Sequence, residues 1–132
     1  MTAADRTDPV DRFRRAESLV SERRPLEALR ELEPVLAAEP DAPSVQLLAG
    51  RAYFQSAQLA RAQRAFERVL EHDPADHYAR FALGRTLQRQ GRFEEARAQM
   101  AMAAAMHPTP DYQEALNEVR MRVALQNDPP PS

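Results

Sequence analysis

Three equally spaced prolines, Pro40, Pro74 and Pro108, constrain this chain more than any other feature of its sequence. Further positions keep the same 34-residue interval: Gly50 and Gly84; Ala28, Ala62 and Ala96; Phe13, Leu47 and Phe81. A fixed period of about 20–50 residues indicates stacked structural units, each too small to bury its own apolar face. The spacing therefore predicts a repeat architecture.

The composition excludes several classes of function. The chain has 132 residues, enough for one domain with a continuous core, and its lack of cysteine excludes disulfide and thiolate chemistry. All 18 basic residues are arginine, but the net charge of −2 argues against a nucleic-acid binder. The first residues are polar and no apolar run approaches the roughly 18 residues of a membrane span. We therefore expect a cytoplasmic protein that binds neither nucleic acid nor a membrane.

Apolar spacing and turn residues predict seven helices, at about 9–22, 25–38, 43–56, 59–72, 77–90, 92–106 and 111–126. Pro9 suits the first turn of the first helix, and Asp76 is placed to cap the fifth. Gly91 permits a left-handed turn between the fifth and sixth helices. Asp111 is expected to cap the last helix, with Glu114 completing a capping box.

Pro34 lies well past the first turn of the second predicted helix. A proline in a helix interior removes one hydrogen bond and clashes with the preceding turn, at a cost of about 3 kcal/mol. We therefore expect a kink or break after Glu31.

The recurring residues are those of a tetratricopeptide repeat, and the chain resembles that family over about residues 9–108. The second repeat carries Leu48, Ala49, Gly50, Tyr53, Ala62, Phe66, Val69 and Pro74 at the family's positions. The resemblance implies an all-α fold, a right-handed superhelix of three tetratricopeptide helical hairpins with a C-terminal capping helix. It also implies a buried core that includes Tyr53, Ala62, Phe66, Leu83, Leu87, Ala96 and Met100.

The same resemblance sets the expected domain boundaries. A single tetratricopeptide domain is expected at 9–126, with repeats at about 9–42, 43–76 and 77–110 and the capping helix at 111–126. The ends, 1–8 and 127–132, are expected to be disordered.

In this family the first helix of each repeat lines a concave face that often holds an extended peptide. Exposed positions on these helices, aligned by the 34-residue interval, predict a peptide-binding groove formed by Phe13, Glu17, Leu47, Arg51, Phe54, Tyr78, Phe81, Arg85, Gln88 and Arg89. Its apolar members would supply affinity, and the guanidiniums would select an acidic or carboxylate-ended segment. We therefore expect a protein–protein interaction scaffold or adaptor.

Other interpretations of these residues remain open. The groove side chains would instead pack between repeats or against a second copy if the protein is a homodimeric structural module without a peptide ligand. Some relatives hold the C-terminal carboxylate of heat-shock chaperones with a Lys/Asn clamp, but this chain has no lysine. Nucleic-acid binding through Arg61, Arg64 and Arg68 would require a steep salt dependence and is opposed by the acidic total.

No pattern in the sequence indicates catalysis. Nucleophile motifs, phosphate-binding loops and metal signatures are all missing, so we expect neither an enzyme nor a bound cofactor. The segment around Pro74 offers imidazoles and carboxylates from His72, Asp73, Asp76 and His77, which suit a metal ion. Because this segment also matches a repeat turn, we interpret it as structural and expect no metal site.

Overall fold

The computed structural model describes residues 8–127, and this part of the chain consists of seven helices and no strand. They are α1 (Pro9–Ser21), α2 (Pro25–Ala38), α3 (Pro43–Gln55), α4 (Leu59–His72), α5 (His77–Arg89), α6 (Phe93–Met106) and α7 (Pro110–Asn127). Each helix boundary predicted from the sequence lies within one residue of the observed one. The terminal segments whose disorder was predicted lie outside the described residues, apart from Asp8 and Asn127.

The chain forms two compact units, with the division between residues 74 and 75. The first contains the hairpins α1–α2 and α3–α4, and the second contains the hairpin α5–α6 followed by α7. None of the described helices is long and apolar enough to cross a membrane. That all repeats form one domain stays a prediction.

The first unit buries the apolar faces of its helices against one another. Its central cluster consists of Ala16, Val20, Ala28, Leu32, Val35, Val45, Leu48, Ala49 and Ala52. Phe66 and Ala62 on α4 are fully buried, as predicted, whereas Tyr53 is only half-buried and packs against the cluster from its edge. The buried residues on α1 are four apart, at 16 and 20, and those on α3 lie at 45, 48, 49 and 52. Because residues at these intervals share one side of a helix, one face of each helix is removed from water.

The second unit has a corresponding core between α5, α6 and α7. The predicted core residues Leu83, Leu87, Ala96 and Met100 are buried. The capping helix contributes Tyr112, Ala115, Leu116, Val119 and Val123 at intervals of three and four residues. This apolar stripe packs on α6 and covers a face that would otherwise be exposed.

Two glycines permit close helix packing inside the hairpins. A Cβ atom on Gly50 would lie 2.6 Å from Cε1 of Phe66, and one on Gly84 would lie 2.7 Å from Cγ of Met100. Gly84 therefore lies directly against Met100 on α6. The missing side chains therefore make room for the largest core residue of each facing helix.

The two helices of each hairpin are joined by a turn that contains one left-handed residue. These residues are Arg23 (φ 61°), Ala57 (φ 61°) and Gly91 (φ 79°), which keep the interval of the repeat. Only Gly91 was predicted, because the other two positions hold residue types that rarely adopt positive φ.

The break expected after Glu31 is wrong, because α2 continues without interruption from Pro25 to Ala38. The alternative, a kink at the same place, stays a prediction. Pro34 is exposed, so the carbonyl oxygen that loses its N–H partner can be hydrated by solvent instead of being stranded in the core. The prediction that Asp111 caps α7 is also wrong. The helix begins at Pro110, and the Tyr112 N–H donates to Oγ1 of Thr109, which makes Thr109 the capping residue.

Candidate functional site

Five of the predicted groove residues lie on α5 in the second unit, on a face that borders α7. One side of α5 carries four of these residues at intervals of three and four, namely Tyr78, Phe81, Arg85 and Gln88. Arg89 follows directly after Gln88 and lies one turn beyond Arg85. Arg85 and Arg89 are exposed, whereas Phe81 and Gln88 are half-buried. That these five residues bind a peptide stays a prediction.

Two adjoining depressions lie along this face. The first, which we call the aromatic groove, has a volume of about 690 Å³ and is lined by Tyr78, Phe81, Arg85, Asp111, Tyr112, Glu114, Ala115 and Glu118. The second, the arginine groove, has a volume of about 360 Å³ and is lined by Arg85, Gln88, Arg89, Phe93, Glu118 and Arg122. Arg85 and Glu118 line both grooves, so the two form one continuous surface.

Tyr112 forms the floor of the aromatic groove. Its ring stacks on that of Phe81, with the ring centres 4.5 Å apart and an angle of 15° between the planes. Its hydroxyl lies 2.9 Å from Nδ1 of His77 and shares a hydrogen bond with it. Burial raises the pKa of the Tyr112 hydroxyl, and the neighbouring charges of Tyr78 and Asp76 act in the same direction. Tyr112 therefore remains a neutral aromatic surface at physiological pH.

The arginine groove is organised around an aromatic ring and a carboxylate. The Arg122 guanidinium lies over the ring of Phe93, with Cζ 4.6 Å from the ring centre. Gln88 Nε2 donates to Oε1 of Glu118 at 3.3 Å. Three guanidiniums line this groove against one carboxylate.

The other five predicted residues belong to the first unit. Phe13 and Glu17 lie on α1, and Leu47, Arg51 and Phe54 lie on α3. Phe13 packs against the apolar cluster, while Glu17 and Arg51 are exposed and make no ion pair within residues 8–127. Their participation in a common groove with the α5 residues stays a prediction.

Sequence reasoning missed the contribution of the capping helix. Asp111 and Glu114 were expected as a cap and its partner, and all of Asp111, Glu114, Glu118 and Arg122 are exposed on α7. Their spacing of three or four residues marks a single helix face, but no sequence signal shows that this face borders the predicted α5 residues. The acids on this helix add negative charge to a groove that was predicted to select acids.

The segment around Pro74 forms a turn between α4 and α5. The Asp76 carboxylate accepts a hydrogen bond from the Ala79 N–H at 2.9 Å and so caps α5, as predicted. His72 Nδ1 lies 3.2 Å from the carbonyl oxygen of Arg68, at the end of its own helix. No group of three or more His, Cys, Asp or Glu residues in the described part of the chain is arranged to hold a metal ion.

Helical hairpins that repeat at a fixed interval, followed by an apolar-faced capping helix, define a helical repeat protein. The tetratricopeptide repeat family model matches residues 19–65 and 54–119. These matches extend over most of the chain, and the protein therefore belongs to the tetratricopeptide repeat family. The all-α helical repeat fold predicted from the sequence is confirmed, and the family supports a role as a protein–protein interaction module.

Solved structures with the same fold have low sequence identity to this chain. The first tetratricopeptide repeat domain of Spaghetti (RPAP3) bound to the HSP90 peptide SRMEEVD has a TM-score of 0.81 and 15% identity, covering 88% of this chain and 93% of that one. The Sgt2 domain from Aspergillus fumigatus has a TM-score of 0.84 and 15% identity, covering 96% and 87%. MamA has a TM-score of 0.85 and 14% identity, covering 96% and 74%. A comparison with curated proteins found no match.

Proposed function

We propose that this protein is a non-enzymatic interaction scaffold or adaptor that binds an extended, acidic or carboxylate-ended peptide segment of a protein partner. The observation that carries the proposal is the arginine groove, where Arg85, Arg89 and Arg122 face a small depression beside Phe93. Guanidinium groups form paired, charge-assisted hydrogen bonds with carboxylates, and arginine and aromatic residues are enriched at binding hot spots. The groove thus offers a suitable position for a carboxylate.

The other predicted groove residues extend the proposal. We propose that Phe13, Glu17, Leu47, Arg51 and Phe54 contact the same ligand as the α5 residues, because the 34-residue interval relates the two sets. Spaghetti binds an acidic peptide, which makes SRMEEVD a useful probe. Since this chain has no lysine, the Lys/Asn clamp is not carried over, and we propose recognition by arginine alone.

The proposal is tested by fluorescence anisotropy with SRMEEVD and an analogue in which both glutamates are glutamine and the C-terminus is amidated. We expect the acidic peptide to bind more tightly than the neutral one. Arg122→Gln should weaken binding of the acidic peptide by about two- to fivefold, the effect of one exposed ion pair. Arg120→Gln is the matched control, because Arg120 is on the same helix but lines neither groove. Equal binding of the two peptides to the wild-type protein would refute selection of acids.

A second candidate function is self-association without a peptide ligand. Met121 and Leu125 on α7 are 67% and 70% exposed, although the free side of a capping helix is normally polar. Sedimentation velocity over a range of concentrations distinguishes the candidates. A dimer that dissociates in the double variant Met121→Gln, Leu125→Gln would favour self-association, and a monomer at all concentrations would exclude it.

We also propose a cytoplasmic location and partners that are proteins rather than nucleic acids or membranes. The acidic total and the absence of a membrane-spanning helix among the described residues support this proposal. Cell fractionation with a tagged full-length chain tests the location.

A further inference from the structure

The aromatic groove has the opposite charge to the arginine groove. Asp111, Glu114 and Glu118 contribute three carboxylates, and Arg85 is the single guanidinium in its lining. Neither the Asp111 nor the Glu114 side chain makes a hydrogen bond or ion pair within residues 8–127, and both are exposed. No basic side chain among the described residues is therefore paired with either carboxylate, although Asp111 lies in the first turn of α7, where the helix dipole favours an acid.

The aromatic groove also presents ring surfaces to the same space as these carboxylates. Tyr78 is 38% exposed and lies beside the half-buried ring of Phe81, whereas Tyr112 is only 8% exposed and has one face covered by Phe81. The ring surface open to a ligand is therefore mainly that of Tyr78. Aromatic faces attract cations through the ring quadrupole, and carboxylates attract them through charge. A guanidinium or ammonium group satisfies both features, whereas a carboxylate satisfies neither.

The two grooves adjoin and together form one elongated surface. On α5 the surface extends from Tyr78 to Arg89, and on α7 it extends from Asp111 to Arg122. At a helical rise of about 1.5 Å per residue, either stretch is about 16 Å long. An extended peptide covers about 16 Å with about five residues, at about 3.3 Å per residue.

We infer that the ligand is a dipolar peptide segment, with a basic side chain at the Asp111 end of the aromatic groove and an acidic group at the Arg122 end of the arginine groove, about five residues away. This inference rests on the proposed function, because it assigns the chemistry of the segment bound by the same surface. A purely acidic segment would place negative charge against Asp111 and Glu114, where like charges repel. Charge order along the ligand, and not total negative charge, then determines selectivity.

Four labelled peptides of equal length test the inference by fluorescence anisotropy at low ionic strength, where exposed charges are weakly screened. The first carries Arg and Glu five residues apart around an apolar centre. In the second Arg is replaced by Gln, in the third Arg is replaced by Glu, and in the fourth Arg and Glu are only two residues apart. We expect the first peptide to bind about two- to fivefold more tightly than the second and fourth, and the third to bind more weakly than the second.

Protein variants test whether the higher affinity for the first peptide arises at the aromatic groove. Glu114→Gln should reduce the advantage of the first peptide over the second, because it removes one of the three carboxylates in the aromatic groove. Glu71→Gln on α4 is the control, because this exposed carboxylate lies outside both grooves.

The outcomes separate the inference from the proposed function. If the all-acidic third peptide binds as tightly as the first, acid selection stands and the dipolar inference is wrong. If the first peptide binds but Glu114→Gln does not reduce its advantage, the basic side chain does not occupy the aromatic groove. If none of the peptides binds, both the proposed function and the inference fail.

Discussion

Gly50 packs directly against the ring of Phe66, and its replacement by alanine should destabilise the protein. An added Cβ atom would lie 2.6 Å from Cε1 of Phe66 and 2.9 Å from both Cδ1 and Cζ. The optimal separation of two carbon atoms is about 3.5–4.0 Å, so the closest contact is short by about 0.9 Å. Because Phe66 is only 1% exposed, its ring has no solvent-filled space into which it can retreat.

The expected magnitude is the difference between two opposing effects. Inserting a methyl group into a packed core costs about 1–3 kcal/mol. Alanine is favoured over glycine in a helix by about 1 kcal/mol, which offsets part of that cost. We therefore expect Gly50→Ala to lower the free energy of unfolding by about 1 kcal/mol. Gly84→Ala should cost less, because the facing Met100 side chain is flexible and can change its rotamer.

Urea unfolding followed by circular dichroism in the far ultraviolet measures this effect. A double-mutant cycle with Phe66→Leu isolates the contact, because leucine removes the ring atoms that approach Gly50. In the Phe66→Leu background, Gly50→Ala should be neutral or stabilising, which gives a coupling free energy of about 1–2 kcal/mol. If Gly50→Ala stabilises the wild-type protein, or if its effect is the same in both backgrounds, the close contact does not govern this position.

Four further expectations concern backbone geometry, helix caps and one exposed pair. Ala57→Gly should raise the free energy of unfolding by about 0.5–1 kcal/mol, since Ala57 is held at positive φ, and an unchanged urea midpoint would contradict this. Pro34→Ala should stabilise by about 1–2 kcal/mol because it restores a backbone donor inside α2, and a lower midpoint would refute the explanation. Thr109→Ala should cost about 0.5–2 kcal/mol and accelerate hydrogen exchange in the first turn of α7, whereas unchanged exchange would show that the cap is dispensable. The hydrogen bond from Arg92 lowers the pKa of Glu95 below its usual 4.5. Ionised Glu95 therefore stabilises the folded state fully above pH 4.5, and this stabilisation is lost as the pH falls through the folded-state pKa. An NMR titration should show that Arg92→Gln returns the Glu95 pKa toward its usual value.

The fold was largely predictable because the repeat imposes the same requirements three times. Prolines at the junctions and small residues at fixed offsets located the helices to within one residue. The errors were local and have physical causes. Pro34 was expected to interrupt α2, but its exposed position lets solvent satisfy the freed carbonyl. The cap of α7 was assigned to Asp111 because the sequence alone did not show that Pro110 already belongs to the helix.

The candidate site was predictable only on the helix that carries the repeat signal. Tyr78, Phe81 and Arg85 were found because they have counterparts at the equivalent positions of the two earlier repeats. Glu114 and Glu118 have no such counterparts, since the capping helix occurs once. Their position beside α5 depends on how α7 packs against α6, and the spacing of residues does not contain that information.

The left-handed residues at 23, 57 and 91 occupy one fixed position in each repeat. Arginine, alanine and glycine all adopt the same turn there, so the position within the repeat, and not the residue type, determines where the chain reverses. Insertion or deletion of a whole repeat would leave every reversal between paired helices intact. An insertion or deletion of any other length within a hairpin would place a different residue at the reversal and rotate the apolar face of the following helix away from its partner. Within a hairpin the spacing is therefore fixed, so a change in chain length is tolerated there only as a whole repeat.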